Sequence, residues 1–348
     1  MTLLRSFARR LAAVPCVACL LVVGPVHAAI PDVVAAPVAI VAEGRFEIEA
    51  AAGRGALPLR VSRDWTTPQP DVVKAVILVH GWSRRALDVG DTAVTRAGNA
   101  AAHAIVVSPQ FLIPADVQAH RLPDSVLRWG VEDWKSGRPA LGPAPLSAFE
   151  ALDAIVARLA DRRLFPHLAI IVVAGHSAGG QLVQRYAAVG NALTRAGAGI
   201  AVRYVVANPS SYLYFGETRP YAGRLDGAPC PATDRWPYGL AGALPPYVRV
   251  TAAQAEAGYV ARNIVYLLGT DDTDPAHPEL DRSCAAESQG ATRLERGRAY
   301  FDALRLRGGS ALAQRLVEVP GVGHSGRRMF TSPAGLAALF MQGAPNPH

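Results

Sequence analysis

The sequence predicts an α/β fold of three layers, a mostly parallel sheet with helices on both faces. Two observations carry the prediction. Six short apolar runs are bounded by turn residues: KAVILVHG (74–81), HAIVVSPQ (103–110), LAIIVVAG (168–175), VRYVVANP (202–209), NIVYLLGT (263–270) and QRLVEVPG (314–321). Their apolarity is continuous rather than alternating, so both faces are expected to be buried, as in a parallel sheet covered by helices. Segments with helical spacing lie between several of these runs, as right-handed crossovers require.

Taken in order, RFEIEA (45–50) and LPLRVSRDW (57–65) alternate with period two and read as an antiparallel pair at a sheet edge. PLSAFEALDAIVARLAD (145–161) is a helix leading into the third apolar run, and GQLVQRYAAVGNAL is a helix leaving it. ATRLERGRAYFDALRLR (291–307) precedes the last strand, and SPAGLAALFMQG closes the pattern. Residues 215–260 are irregular and dense in Pro, Gly and aromatics. That stretch is too long for an ordinary loop and is expected to form a cap or lid over the carboxyl edge of the sheet. No internal repeat interrupts the series.

The 348 residues, half of them hydrophobic and 18% charged, suffice for a large globular domain and exclude a disordered chain. Arg5, Arg9 and Arg10 precede a mostly apolar stretch, Leu11 to Val26, and Val26-His27-Ala28 offers small residues for cleavage before Ala29. Residues 1–28 are therefore expected to be an export signal, 29–44 a linker and 45–348 one domain, in a periplasmic or secreted protein. A retained anchor is the competing reading, opposed by the breaks at Pro15, Gly24 and Pro25, so no stable membrane span is expected after removal of the signal. A lipoprotein through Cys19 is weaker still, because the apolar run continues past that cysteine.

The signal holds three of the seven net positive charges, leaving +4 with no basic stripe, so a nucleic-acid partner is not indicated. Cys16 and Cys19 leave with the signal. The remaining pair, Cys230 and Cys284, is expected to form a disulfide in an exported chain, with two free thiols as the alternative. Neither sits at a strand-to-helix turn, which argues against a cysteine nucleophile.

VVAGHSAGG places Ser177 where an apolar run turns into a helix. Gly175 and Gly179 permit a sharp turn, and Ala178 and Gly180 let the helix approach the sheet. Such a turn lifts the hydroxyl clear of the backbone and aims helix N-terminal N–H groups at developing negative charge. The first apolar run ends VHGW, where Gly81 allows a turn and the N–H of Trp82 pairs with that of Ala178 as a candidate oxyanion site.

A serine hydroxyl needs a base. Of nine histidines, His324 in VPGVGHSG lies in the loop after the final run and is the candidate. His80 and His176 are read as shape-setting neighbours of the turns, and His277 as a loop residue. The candidate acid lies in LLGTDDTD: Asp272, with Asp271 as the alternative. The acidic run DDTDPAHPELD lacks the EF-hand spacing, so no metal is expected there. No cofactor is expected.

Gly-x-Ser-x-Gly with the order Ser177, Asp272, His324 resembles the α/β-hydrolase superfamily from about Arg45 to Met341. The resemblance implies the three-layer α/β-hydrolase fold, with an eight-stranded sheet and the nucleophile after its fifth strand. It also implies acyl transfer through Ser177, with His324 as base and Asp272 orienting it. GHSAGGQ…QRYA, SPQFL, Trp129, Trp134 and the late cysteine pair look similar to secreted serine hydrolases of esterase or lipase type. The expected activity is hydrolysis of a small-molecule or polymeric carboxylic ester. A serine peptidase or amidase, or a non-catalytic cell-envelope binding protein, remains as an alternative. Tyr212, Tyr214 and Trp236 are candidates for substrate contact from the lid, with a place in the lid core as the alternative.

Overall fold

The computed structural model describes residues 32–85, 87–221, 230 and 233–341. The expected signal, the first residues of the expected linker and residues 222–229 and 231–232 of the expected lid lie outside them.

The strands are β1 (Gly44–Ala50), β2 (Gly53–Val61), β3 (Lys74–Val79), β4 (Ala104–Pro109), β5 (Ile170–His176), β6 (Ala201–Ala207), β7 (Asn263–Gly269) and β8 (Gln314–Val319). They form one eight-stranded sheet in the order β1-β2-β4-β3-β5-β6-β7-β8. β1 and β2 pair antiparallel with Gly44 opposite Leu59, and β2 pairs antiparallel with β4. Every remaining neighbour is parallel. The expected edge hairpin and parallel body are both present, although the second edge strand stops at Val61 rather than continuing to Trp65.

Alternate residues of the central strands face two separate cores, which is why their sequences carry no polar side. Ile77, Val107, Val173, Val206 and Ile264 meet Leu152, Ile155, Leu182 and Tyr186 on one face. Val76, Val106, Val172, Val205 and Val265 meet Val89, Ala93, Met329 and Leu339 on the other. These are the two helix layers. On the first face lies the helix Ala148–Leu159, started by Ser147, which accepts from the Phe149 N–H while Glu150 accepts from the Ser147 N–H. Beside it runs the helix Ala178–Val189, buried along its whole length.

The segment expected to be a linker is instead docked on the domain. Arg84, fully buried, pairs bidentately with buried Asp116 (2.8 and 3.1 Å) and donates to the carbonyls of Val34 and Ala36 (2.7 and 2.8 Å). Asp116 in turn accepts from the Val38 N–H, and Gln110 accepts from the Ala42 N–H. Its Ala/Val/Pro composition shows no period, but its backbone groups satisfy a buried charge pair that would otherwise be costly.

The described part of the 215–260 excursion packs along the first helix layer. Trp236 meets the Phe149 ring edge-on and donates to the Ser136 carbonyl (2.8 Å), and the Tyr247 hydroxyl donates to Asp153 (2.8 Å). Cys230 and Cys284 form a disulfide with a Cα–Cα separation of 5.7 Å, tying the excursion to the segment that follows β7. Among the described residues, no helix is long and apolar enough to cross a membrane.

Candidate active site

Ser177 sits between β5 and the helix Ala178–Val189 with φ 58° and ψ −122°, a backbone region that side chains rarely adopt. Its N–H donates to the Ala207 carbonyl at the end of β6 (2.9 Å), and its own carbonyl accepts from Gln181 (3.0 Å). The flanking glycines are required by contact. A Cβ on Gly175 would stand 2.3 Å from the Gly179 oxygen, one on Gly179 2.4 Å from the His80 oxygen, and one on Gly180 2.7 Å from the Ala207 oxygen. The helix therefore starts flush against the ends of β3, β5 and β6, and the serine side chain projects from the carboxyl edge.

His324, after β8, reaches Ser177 Oγ with Nε2 at 3.0 Å and Asp272 Oδ2 with Nδ1 at 2.7 Å. A carboxylate accepts, so Nδ1 carries the proton and Nε2 is left to accept from the serine. Asp272 is buried in the loop after β7, its N–H bonded to the Gly269 carbonyl (3.1 Å). Asp271 points to solvent and accepts from Thr270. Of the two expected acids, Asp272 is the one that meets His324. Burial raises its carboxyl above the ordinary value, opposed chiefly by Arg293. Burial holds His324 below the ordinary imidazole value, with Arg293 and His277 acting in the same direction.

Gly81 runs alongside the serine: a Cβ there would lie 3.7 Å from Ser177 Cβ. The turn is held by His80, whose Nε2 accepts from the Phe111 N–H (2.9 Å) while Nδ1 donates to the Gly81 carbonyl (2.8 Å). Accepting at one nitrogen and donating at the other requires a neutral ring. Burial agrees, pulling His80 down to about 4. Trp82 follows, half-buried, its indole donating to the Val131 carbonyl (3.2 Å) under the Lys135 ammonium (4.2 Å from the ring centre). Ala178 is the first residue of its helix, where an N–H has no intrahelical acceptor.

A cavity of about 390 Å³ opens beside the serine, lined by Gly81, Ser83, Val89, His176, His277 and Phe330 among others. Among the described residues, none from 215–260 lines it. Nor do Tyr212 and Tyr214 line it; of the two readings of Tyr212, Tyr214 and Trp236, packing in the core is the one the geometry favours. All three are buried, Tyr212 stacked on Tyr300 (4.4 Å) and Tyr214 edge-on to the same ring (4.9 Å). Their aromatic area is spent on the core, which their sequence pattern does not distinguish from a pocket wall.

Three neighbours went unread as parts of the site. The His176 and His277 rings each lie 4.7 Å from the His324 ring. His176 Nε2 is buried without a hydrogen-bond partner, and burial holds that ring well below the ordinary imidazole value. Arg293, fully buried, brings Nη1 to 3.5 Å from Asp272 Oδ1. Sequence spacing offers no signal for Arg293, because it projects from the start of a helix beyond the acid loop. Among the described residues, no group of three or more His, Cys, Asp and Glu side chains is arranged to hold a metal ion.

No family model matches the chain, and no curated protein matches it in sequence. Its structure is similar to that of poly(aspartic acid) hydrolase-1 from Sphingomonas sp. KT-1, with TM-score 0.58 and 23% identity over 84% of this chain and 96% of that one. It is similarly close to the poly(3-hydroxybutyrate) depolymerase of Bordetella parapertussis, with TM-score 0.58 and 23% identity over 85% and 94%. With this sheet order and these likenesses, the chain has the α/β-hydrolase fold.

Proposed function

We propose that the protein is a serine hydrolase that cleaves carboxylic esters through an acyl-enzyme. The observation that carries the reading is the unbroken hydrogen-bonded chain from Ser177 through His324 to Asp272, at a strained turn facing a cavity. In the first step Ser177 Oγ attacks the acyl carbon as His324 Nε2 takes its proton. The carbonyl oxygen becomes an oxyanion, for which the N–H groups of Trp82 and Ala178 are the assigned donors. Collapse breaks the acyl–oxygen bond, and the alcohol leaves with the proton from Nε2. Water then attacks the acyl-enzyme, giving its proton to Nε2, and the acid departs as Ser177 regains a proton. Asp272 keeps Nδ1 protonated and stabilises the imidazolium in both steps.

The two similar structures bear names of enzymes acting on polymers, one of them a polyester. A small or polymeric ester is accordingly the substrate class assigned to the cavity. The basic and apolar N-terminal stretch, together with the disulfide, supports export. Turnover of short p-nitrophenyl esters tests the activity: the wild-type chain is expected to hydrolyse them, and Ser177→Ala to lose about 10³-fold or more. Inertness of the wild type toward esters, with turnover of aminoacyl amides, would replace the esterase reading by a peptidase one.

A further inference from the structure

We infer that Arg293 is a positioning residue of this site, a buried cation that keeps the Asp272 carboxylate ionised and turned toward His324. By doing so it sets the pH range in which His324 can act as a base. The inference rests on the proposed roles of Ser177, His324 and Asp272.

Arg293 is the first residue of the helix Arg293–Gly308, and Leu294 beside it donates its N–H to the Asp272 carbonyl (3.3 Å). The guanidinium Nε donates to Ser210 Oγ (3.0 Å), and Ser210 Oγ donates to the Glu279 carbonyl (3.1 Å). One side chain thus ties the segment after β6 to the acid loop after β7. Neither Nη makes a hydrogen bond, and the carboxylate oxygen nearest Nη1 is the one that His324 does not use. The contact is electrostatic, and in a buried site it is weakly screened. Arg296, one turn along, is already committed to the carbonyls of Gly290 and Asp281 (2.8 and 2.9 Å) and to that of Ser210.

The other groups facing this dyad come from every neighbouring element. They are His176 at the end of β5, Tyr212 after β6, and His277 and Glu279 in the loop after β7. Of these, Glu279 is the acid set against Arg293, and burial lowers both histidines below the ordinary imidazole value. Arg293 is therefore the permanent cation beside Asp272. The proton that inactivates the base enters the Asp272–His324 unit, and a fixed positive charge at 3.5 Å opposes its entry. Without that charge the unit protonates at higher pH, so activity is lost earlier as the medium acidifies.

The test is the pH profile of fluorophosphonate labelling at Ser177, alongside kcat/KM on a p-nitrophenyl ester. Arg293→Gln is expected to move the acid limb up by about one pH unit, roughly a tenfold loss on that limb. Arg293→Lys retains the charge and is expected to keep the limb within a few tenths of wild type. Ser210→Ala removes the Nε contact and the bond to the Glu279 carbonyl but leaves the charge in place, and is expected to cost stability without moving the limb. An Arg293→Gln profile scaled down at every pH but unshifted would overturn the inference. Should that variant not fold, an upward limb shift in Arg293→Lys or in Ser210→Ala equally contradicts it. Failure of the wild type to label at all would strike the hydrolase reading instead.

Discussion

Gly179 packs against His80 so closely that a Cβ on the glycine would stand 2.4 Å from the His80 carbonyl oxygen. This contact sets the helix behind Ser177 against the turn that carries Trp82, so the two proposed oxyanion donors are held relative to each other by backbone alone. Gly179→Ala must push main chain, not a flexible side chain. It is expected to cost about 1–3 kcal/mol in urea unfolding and roughly 10²-fold in kcat through misplaced donors. Wild-type turnover from the alanine variant would show that this contact does not hold the turn.

The Asp272 and Asp271 carboxylates are expected to separate sharply on neutralisation. Asp272→Asn replaces an ionised acceptor by a neutral amide that neither fixes the Nδ1–H tautomer of His324 nor stabilises the imidazolium, and kcat should fall about 10⁴-fold. Asp271→Asn alters a solvent-facing group and should leave kcat within about threefold, on the scale of surface substitutions. Comparable losses from the two variants would contradict the assignment of the acid.

Much of the proposed site was legible because its parts are local. Ser177, Asp272 and His324 each follow an apolar run at a glycine-marked turn, and the topology of a parallel sheet brings such turns to one edge. Arg293 was not legible, since its meaning lies in a contact across the end of a helix. His277 read only as a loop residue because only the third dimension lays its ring against His324. Residues 29–44 read as a linker for the same reason, although those from 32 on are docked. Their partners, Arg84, Gln110 and Asp116, lie tens of residues away and share no periodic pattern with them. Tyr212, Tyr214 and Trp236 could be read either way, since aromatic composition is shared by pockets and cores.

The Arg84–Asp116 pair gives the docked N-terminal segment a measurable signature. Removing one partner strands the other as a buried charge, so Arg84→Ala or Asp116→Ala should cost about 3–5 kcal/mol in denaturant unfolding. Protease should also cleave within residues 32–42 sooner in either variant, since Val34, Ala36 and Val38 lose their acceptor or donor. Unchanged stability in both variants would contradict a buried clasp.

Stability should fall on mild acidification. Burial lowers His80 from 6.5 to about 4, and its Nε2 already accepts a hydrogen bond. Below pH 6.5 the unfolded chain takes up a proton that the folded chain refuses, so this contribution is present above that pH and is lost toward pH 4. It amounts to something on the order of 3 kcal/mol. His176 and His324, also depressed by burial, act with the same sign, whereas the raised Asp272 carboxyl works against them. Urea midpoints at pH 7.5, 6 and 5 should decline in that order. A flat series would show that these rings are not held neutral.

The central claim is that Ser177 is a nucleophile activated by His324. Intact-mass analysis after treatment with a fluorophosphonate, followed by peptide mapping, reads it most directly. The expected result is one adduct per chain, on Ser177, absent from Ser177→Ala and strongly slowed in His324→Ala. An unlabelled wild-type chain, or an adduct on any other residue, would contradict it.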